Sequence, residues 1–368
     1  MENVRRRREK LFFLMFAGAI GVALLVIGGF QLLEFTDSAA FCGRLCHNVM
    51  NPEYTTYQNS PHSRVACASC HVGPGASYLV KSKISGIPMI WATVTGHFDK
   101  PIPTPVKNLR PARDTCEQCH RPERFAGDLV ITHTTYLTDE KNTPQVDQRI
   151  LRVGTGDQVA PQGIHWHVAS QVWYVSNEDR REIDWVGITG PDGKYTAQFT
   201  NPISGVILSP EEIAKNRRMM DCIDCHNRAT HQFQTPEAII DSYMREGSID
   251  NTLPFIKREA AIALYPQNTT LQAAYSKIDA IRNFYATNYP GVLAQKSAVI
   301  DQAISRLKKV ADLTTFPDAK TNWDSYPDFA THNGCFRCHG TLVSSGPANA
   351  GVTIDVSCTL CHQPITPP

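Results

Sequence analysis

The chain is 368 residues long with a formal net charge of +1, and 42% of its residues are hydrophobic. That length allows two or three subdomains, and the sequence offers no clustered basic face of the kind nucleic acid requires. The charge is uneven: residues 1–10 hold five basic and two acidic side chains, a net of +3, which leaves −2 for the rest.

In chain order the first element is an anchor. Arg5, Arg6, Arg7, Arg8 and Lys10 form a cationic block ahead of the uncharged stretch Leu11 to Leu33. As a helix that stretch is about 34 Å long, enough to cross a hydrocarbon core of about 30 Å. A cleaved signal peptide has a shorter apolar region, about 7–15 residues, so residues 1–35 read as a cytoplasmic basic tip and a retained transmembrane helix. The small residues Ser38, Ala39 and Ala40 keep cleavage as the alternative. The positive-inside rule puts the arginines in the cytoplasm and everything after Phe35 on the other side. The expectation is a single-pass protein of the inner membrane with its bulk in the periplasm or outside.

Residues 36–124 are rich in Pro and Gly and read as irregular. Residues 125–208 change character: GDLVITHTTYL, QRILRVG, GIHWHVASQVWYVS and IDWVGITGPDGKYTAQF are β-branched and aromatic with partial alternation. With GPDG as a turn, they predict a small antiparallel β insertion. Residues 209–235 open on Ser209-Pro210-Glu211-Glu212, a helix N-terminus with Pro first and acids in the first turn, predicted to run on to Cys222. Amphipathic helices are predicted near 236–246, 253–264, 269–287 and 291–311, within a helical region 236–324. Ile239, Ile240, Ile256, Ile262 and Leu271 read there as packing residues. Residues 325–368 form a Gly- and Pro-rich tail.

The chemistry lies in the cysteines. All twelve fall into six pairs, and a histidine follows each pair: Cys42/Cys46/His47, Cys67/Cys70/His71, Cys116/Cys119/His120, Cys222/Cys225/His226, Cys335/Cys338/His339 and Cys358/Cys361/His362. Five read C-x-x-C-H, the attachment site of c-type haem, in which two thioethers hold the porphyrin and the histidine ligates iron. Structural zinc wants two such pairs brought together, with no reason for a histidine after each. A disulfide framework does not repeat one short spacing. CGRLCH carries one extra residue between its cysteines. Positions i+3 and i+4 both return to the helical face of residue i, so the wider spacing still presents two sulfurs to one porphyrin edge. The alternative is a degenerate motif that binds nothing. The expectation is six covalently bound haem c. The predicted fold class is a multihaem cytochrome c with little regular structure around the haems, mixed and mainly α, carrying the anchor, the β insertion and the helical region. Haem is joined after transport, which favours general secretion over the folded-export signal that twin arginines also suggest.

Six of the thirteen histidines lie in motifs, leaving His62, His97, His133, His165, His167, His231 and His332 as distal ligands for six irons. Saturated irons suit electron transfer, whereas catalysis on a small molecule needs an open position. The supply is sufficient, so an electron wire is the simpler reading. On a strand, His165 and His167 share a face, so both could address one haem, or one could hydrogen-bond in the insertion's core.

The short anchor, a first motif followed closely by a methionine, and the string CIDCHNRATH resemble the NapC/NirT family of membrane-anchored multihaem quinol dehydrogenases. The resemblance covers residues 1–122 and about 216–234, and this chain is an extended form with the β insertion and two further motifs. It implies that Met50 ligates a first haem next to the membrane, one residue later than the family's usual CxxCHxM. It also implies that His231 ligates a neighbouring haem, that His62 sits where the family has a histidine, and that menaquinol is the electron donor. Quinol oxidation takes two protons with two electrons, so it needs a base and a hydrogen-bond partner. SYLVKSKISGIPMIWATVTGHFDKP offers Lys81, Lys83 and Asp99, in a stretch comparable to the one where family members use a lysine and an aspartate. The alternative is that these lysines meet lipid headgroups. The apolar run at residues 87–91 suits the membrane interface, with Trp91 at home there.

Three functions follow. The first is a hexahaem quinol dehydrogenase passing electrons to a periplasmic redox protein. The second is a relay subunit of a larger membrane respiratory complex whose quinol site lies in another subunit. The third, a haem-based small-molecule reductase, needs an open iron, and the ligand surplus argues against it. Assembly with copies of itself or with other subunits stays open.

Overall fold

The computed structural model describes residues 2–45, 47–73, 75–106, 110–121, 127–154, 163–265, 270–346 and 350–363. Helix α1, Glu2–Asp37, is long and apolar enough to cross a membrane. Along its apolar stretch the side chains are exposed, Leu25 by 78%. Such a rod, with its backbone bonds satisfied internally, suits lipid and is compatible with a single-pass anchor.

Beyond it, α2 (His47–Gln58), α3 (Cys67–His71), α4 (Ala76–Thr95) and α5 (Ala112–Cys116) follow in the stretch of the first three motifs. The 20-residue α4 is a finding in a stretch read as irregular. Gly96, at φ 71°, closes it in the left-handed conformation that favours glycine.

The segment 125–208 forms two antiparallel sheets. In the first, β1 (Asp128–Tyr136) and β2 (Pro144–Arg152) make a hairpin with Asp128 opposite Arg152. After α6 (Trp166–Ala169), β3 (Gln171–Ser176), β4 (Ile183–Thr189) and β5 (Tyr195–Thr200) form a meander. The GPDG turn joins β4 to β5, with the Gly190 amide donating to the Lys194 carbonyl at 2.9 Å. Residues 165–169, predicted as strand, instead form a helical turn. The amides of Val168 and Ala169 both donate to the His165 carbonyl, at 3.0 and 3.1 Å.

Helix α7 (Pro210–Asn216) starts with a full capping box between Ser209 and Glu212. It stops short of the motif it was predicted to reach. Arg217 is extended, and β6 (Arg218–Met219) is drawn to the edge of β3 before α8 (Cys222–Cys225) begins.

Helices α9 (Pro236–Arg245), α10 (Ile256–Leu264), α11 (Leu271–Asn288) and α12 (Pro290–Thr314) lie close to their predicted spans. They pack around Ile249, Leu253, Ile278, Tyr285, Ile300, Leu307 and Val310, all fully buried. Ile239, Ile240 and Ile256 belong to this core and Leu271 packs against it, but Ile262 is 60% exposed and does not. After β7 (Thr315–Phe316) and β8 (Thr321–Asn322), the tail holds α13 (His332–Cys335), β9 (Val343–Ser344), α14 (Cys358–Cys361) and β10 (His362–Gln363). It is stitched back onto the insertion, β9 pairing with β5 and β10 with β2. The hairpin tip is bonded to the helices: Asn142 Nδ2 donates to the carbonyls of Asn251 and Leu253 at 2.9 and 2.8 Å. The insertion thus joins the helical region to the last two motifs.

Candidate functional site

Each motif is a helical turn. The amides of His120, His226, His339 and His362 donate to the carbonyls of Cys116, Cys222, Cys335 and Cys358, and His71 ends α3. One turn brings both sulfurs and the ring to the same side. The first motif differs: Phe41–Leu45 is a π-helical turn, and the wider turn takes up the extra residue of CGRLCH. Gly43 makes this possible, because a Cβ there would lie 2.0 Å from Cδ2 of Tyr54. Cys46 and the side chain of His47 lie outside the described residues.

The motifs run in single file, in chain order. Cys67 neighbours Cys42, and Cys70 neighbours Cys116 and Cys119. Cys116 neighbours Cys222, Cys225 neighbours Cys335 and Cys338, and Cys361 neighbours Cys335. The fourth and fifth motifs are bonded directly, Arg337 Nη2 donating to the Asp224 carbonyl at 2.7 Å.

Four motif rings face a second imidazole. His71 pairs with His231 (ring centres 6.2 Å apart), His120 with His62 (5.9 Å), His339 with His167 (5.9 Å) and His362 with His332 (6.1 Å). A metal–imidazole bond is about 2 Å, so two rings sandwiching one ion have centres about 6 Å apart. His226 has His165 as its electrostatic neighbour, and the buried Nδ1 of His165 has no hydrogen-bond partner. His97 and His133 are exposed, and among the described residues neither faces a motif ring at this spacing. Met50 is half-buried on α2.

Several rings are held at Nδ1 by backbone carbonyls. His231 donates to Glu53 at 2.8 Å, His62 to Ala229 at 3.2 Å, His167 to Ile164 at 2.9 Å and His339 to Asp355 at 2.6 Å. A proton on Nδ1 leaves Nε2 as the ligating atom. Burial lowers the pKa values of His71, His165 and His167, and lowers that of His231 to about 4. Burial thus disfavours the charged form of these four rings, and a metal ligand must be neutral. The donor set, spacing, tautomer and charge fit iron held between paired imidazoles.

Sequence reasoning missed the carbonyls that aim these rings, since only the fold brings them into place. It also missed Asp224, inside the fourth motif. Asp224 is buried, accepts from Tyr174 Oη at 2.6 Å and Arg180 Nη1 at 3.3 Å, and pairs with Arg218. The capping box it forms with Asp221 is the signal that was readable.

At the membrane end, Lys83 Nζ ion-pairs with Asp37 and donates to Thr36 Oγ1 at 2.9 Å, tying α4 to the end of α1. Lys81 and Asp99 are exposed. Asp99 lies past the end of α4, so about 18 Å of helix separates Lys83 from that end.

The profile of the NapC/NirT cytochrome c family, N-terminal region, matches residues 4–108. Cytochrome c-type protein ImcH of Geobacter sulfurreducens is 38% identical over 371 residues, spanning 99% of this chain and 72% of that protein. This chain belongs to the NapC/NirT cytochrome c family. Other NapC/NirT relatives match over shorter spans. Cytochrome c-type protein NrfH of Wolinella succinogenes is 30% identical over 111 residues, 29% of this chain and 61% of that protein. Cytochrome c-type protein TorC of Escherichia coli K12 is 24% identical over 218 residues, 54% of each chain. No solved structure matches. As a NapC/NirT cytochrome the chain binds haem c covalently, and the match reaches through the anchor, the first two motifs and α4.

Proposed function

We propose that this protein carries electrons from menaquinol, through six haems, to a redox partner in the periplasm. Bound at the motifs, haem supplies an iron that accepts and releases one electron at a time. The observation that carries the reading is the unbroken file of motifs, each neighbouring the next in chain order from the end of α1 to the C-terminal tail. The imidazoles paired at four motifs favour a relay over a reductase, because they would occupy the ligand positions that a small molecule needs.

At the entry, Lys83 and Asp37 supply a donor and an acceptor where α4 meets the anchor. Menaquinol releases two protons and two electrons. Asp37, released from Lys83, would take one proton and pass it to solvent before taking the second, while Lys83 holds the ring oxygen. The two electrons would pass one at a time to haem held at the first motif. Met50, half-buried on α2, would serve the haem of the first motif as its second ligand beside the motif histidine His47. The exposed row Val80, Ile84, Ile87, Trp91 and Val94 on α4 suits the membrane interface beside this site.

The test is anaerobic mixing of the oxidised, detergent-purified protein with a reduced menaquinol analogue, following the haem α-band. Prompt reduction is expected, slowed at least about tenfold, the equivalent of 1.4 kcal/mol, in Lys83→Met and Asp37→Asn. Lys81→Met and Asp99→Asn are the comparison variants, expected to leave the rate unchanged. If quinol reduces nothing while dithionite reduces everything, the chain is a relay subunit served by a quinol site elsewhere.

A further inference from the structure

We infer that the haem-free insertion supplies the distal ligands of two successive haems from one turn of helix, His165 for the fourth motif and His167 for the fifth. The inference rests on the multihaem reading above and assigns two ligands within it. Residues on a helical turn advance about 100° each, so i and i+2 point to nearly opposite sides. The turn at α6 therefore sends the two rings to different irons, where a strand would have sent both to one. His167 faces His339 at 5.9 Å, with its Nδ1 tied to the Ile164 carbonyl. His165 neighbours His226, and its buried Nδ1 has no protein partner.

The turn is fastened from both sides. The amides of Ile164 and His165 donate to the carbonyls of Arg152 and Val153 at 3.0 and 2.9 Å, fixing it to the end of β2. Gly163 permits that close approach, since a Cβ there would lie 2.6 Å from the Val153 carbonyl carbon. From the third motif, Arg113 Nη2 donates to the Val168 carbonyl at 2.5 Å. Downstream, β3 brings Tyr174 to Asp224 of the fourth motif, and Arg337 of the fifth motif bonds both the Arg180 and Asp224 carbonyls at 2.7 Å. The fourth and fifth motifs thus share one block with the turn between them. The insertion is a ligand-bearing splice between the family's N-terminal motifs and the two C-terminal ones.

The experiment uses the full-length protein with His165→Met, with His167→Met and with both. Intact mass counts covalent haems, and near-infrared magnetic circular dichroism sorts irons by axial pair. A potentiometric titration follows, because a His/Met pair raises an iron's potential. Each single variant is expected to keep the wild-type haem mass, move one iron from the bis-histidine class and raise one component of the titration. The double variant is expected to move two. A double variant that moves only one iron, or single variants that move none, overturns the inference while leaving the multihaem reading intact. A wild-type mass short of haem at the fourth or fifth motif overturns both.

Discussion

Gly43 and Asp224 show how single residues fit the motifs to the fold. With Tyr54 against the π-turn, Gly43→Ala forces a clash that overpacking data put at about 1–3 kcal/mol. The expected outcome is a protein one haem lighter by intact mass, the deficit mapping to the first motif in a peptide digest. Asp224 gathers Tyr174, Arg180 and Arg218 around one buried carboxylate, and Asp224→Ala leaves the buried Tyr174 hydroxyl without its acceptor, which costs about 1–3 kcal/mol. A thermal melt should show the loss with covalent haem unchanged. The motif cysteines and histidines are legible in the sequence because attachment chemistry fixes their spacing. Of Asp224 only its capping box with Asp221 could be read, since the partners Tyr174 and Arg180 reach it through the fold. The pairing of His231 with His71, 160 positions earlier, is likewise invisible in one dimension.

Among the elements, the bundle α9–α12 was readable because its apolar residues recur at helical spacing and Thr235, Thr270 and Pro290 mark helix starts. The turn at α6 was misread because His-Trp-His between β-branched runs imitates strand alternation, and only the hydrogen bonds around Gly163 decide against it. Helix α4 was missed because Pro88 lies inside it and its apolar residues face outward. Within the bundle, Lys257 Nζ meets Asp241 Oδ1 at 2.5 Å with both side chains buried. Asp241→Ala leaves that ammonium unpaired and should cost about 3–5 kcal/mol, read by denaturant unfolding, with the haem spectrum unaltered. On α4, replacing Ile87 and Trp91 together by lysine should slow quinol reduction by about tenfold, about 1.4 kcal/mol, while dithionite reduction keeps its wild-type course.

For the whole molecule, the file of neighbouring motifs among the described residues predicts that electrons pass through each motif in turn. Cys335→Ala with Cys338→Ala removes the fifth attachment point, so quinol should reduce the first four haems at the wild-type rate and leave the sixth oxidised. Rapid-scan absorbance against a dithionite endpoint checks this. The family resemblance covered the membrane end of the file, whereas its continuation depends on β9 and β10 pairing with strands of the insertion, which no motif announces.

The order of the file also bears on how the protein is made. In the proposed topology the part after the anchor is exported from its N-terminal side, so its motifs would meet the attachment machinery in the order in which they stand. His62, His165, His167 and His332 each emerge before the motif ring they face, so those partners are at hand when each porphyrin is fastened. His231 is the exception: it follows its partner His71 by 160 residues. On the proposed reading, the second motif waits for the third motif, the whole insertion and the fourth motif before its ligand set closes, so the arrival of residue 231 would complete the membrane end.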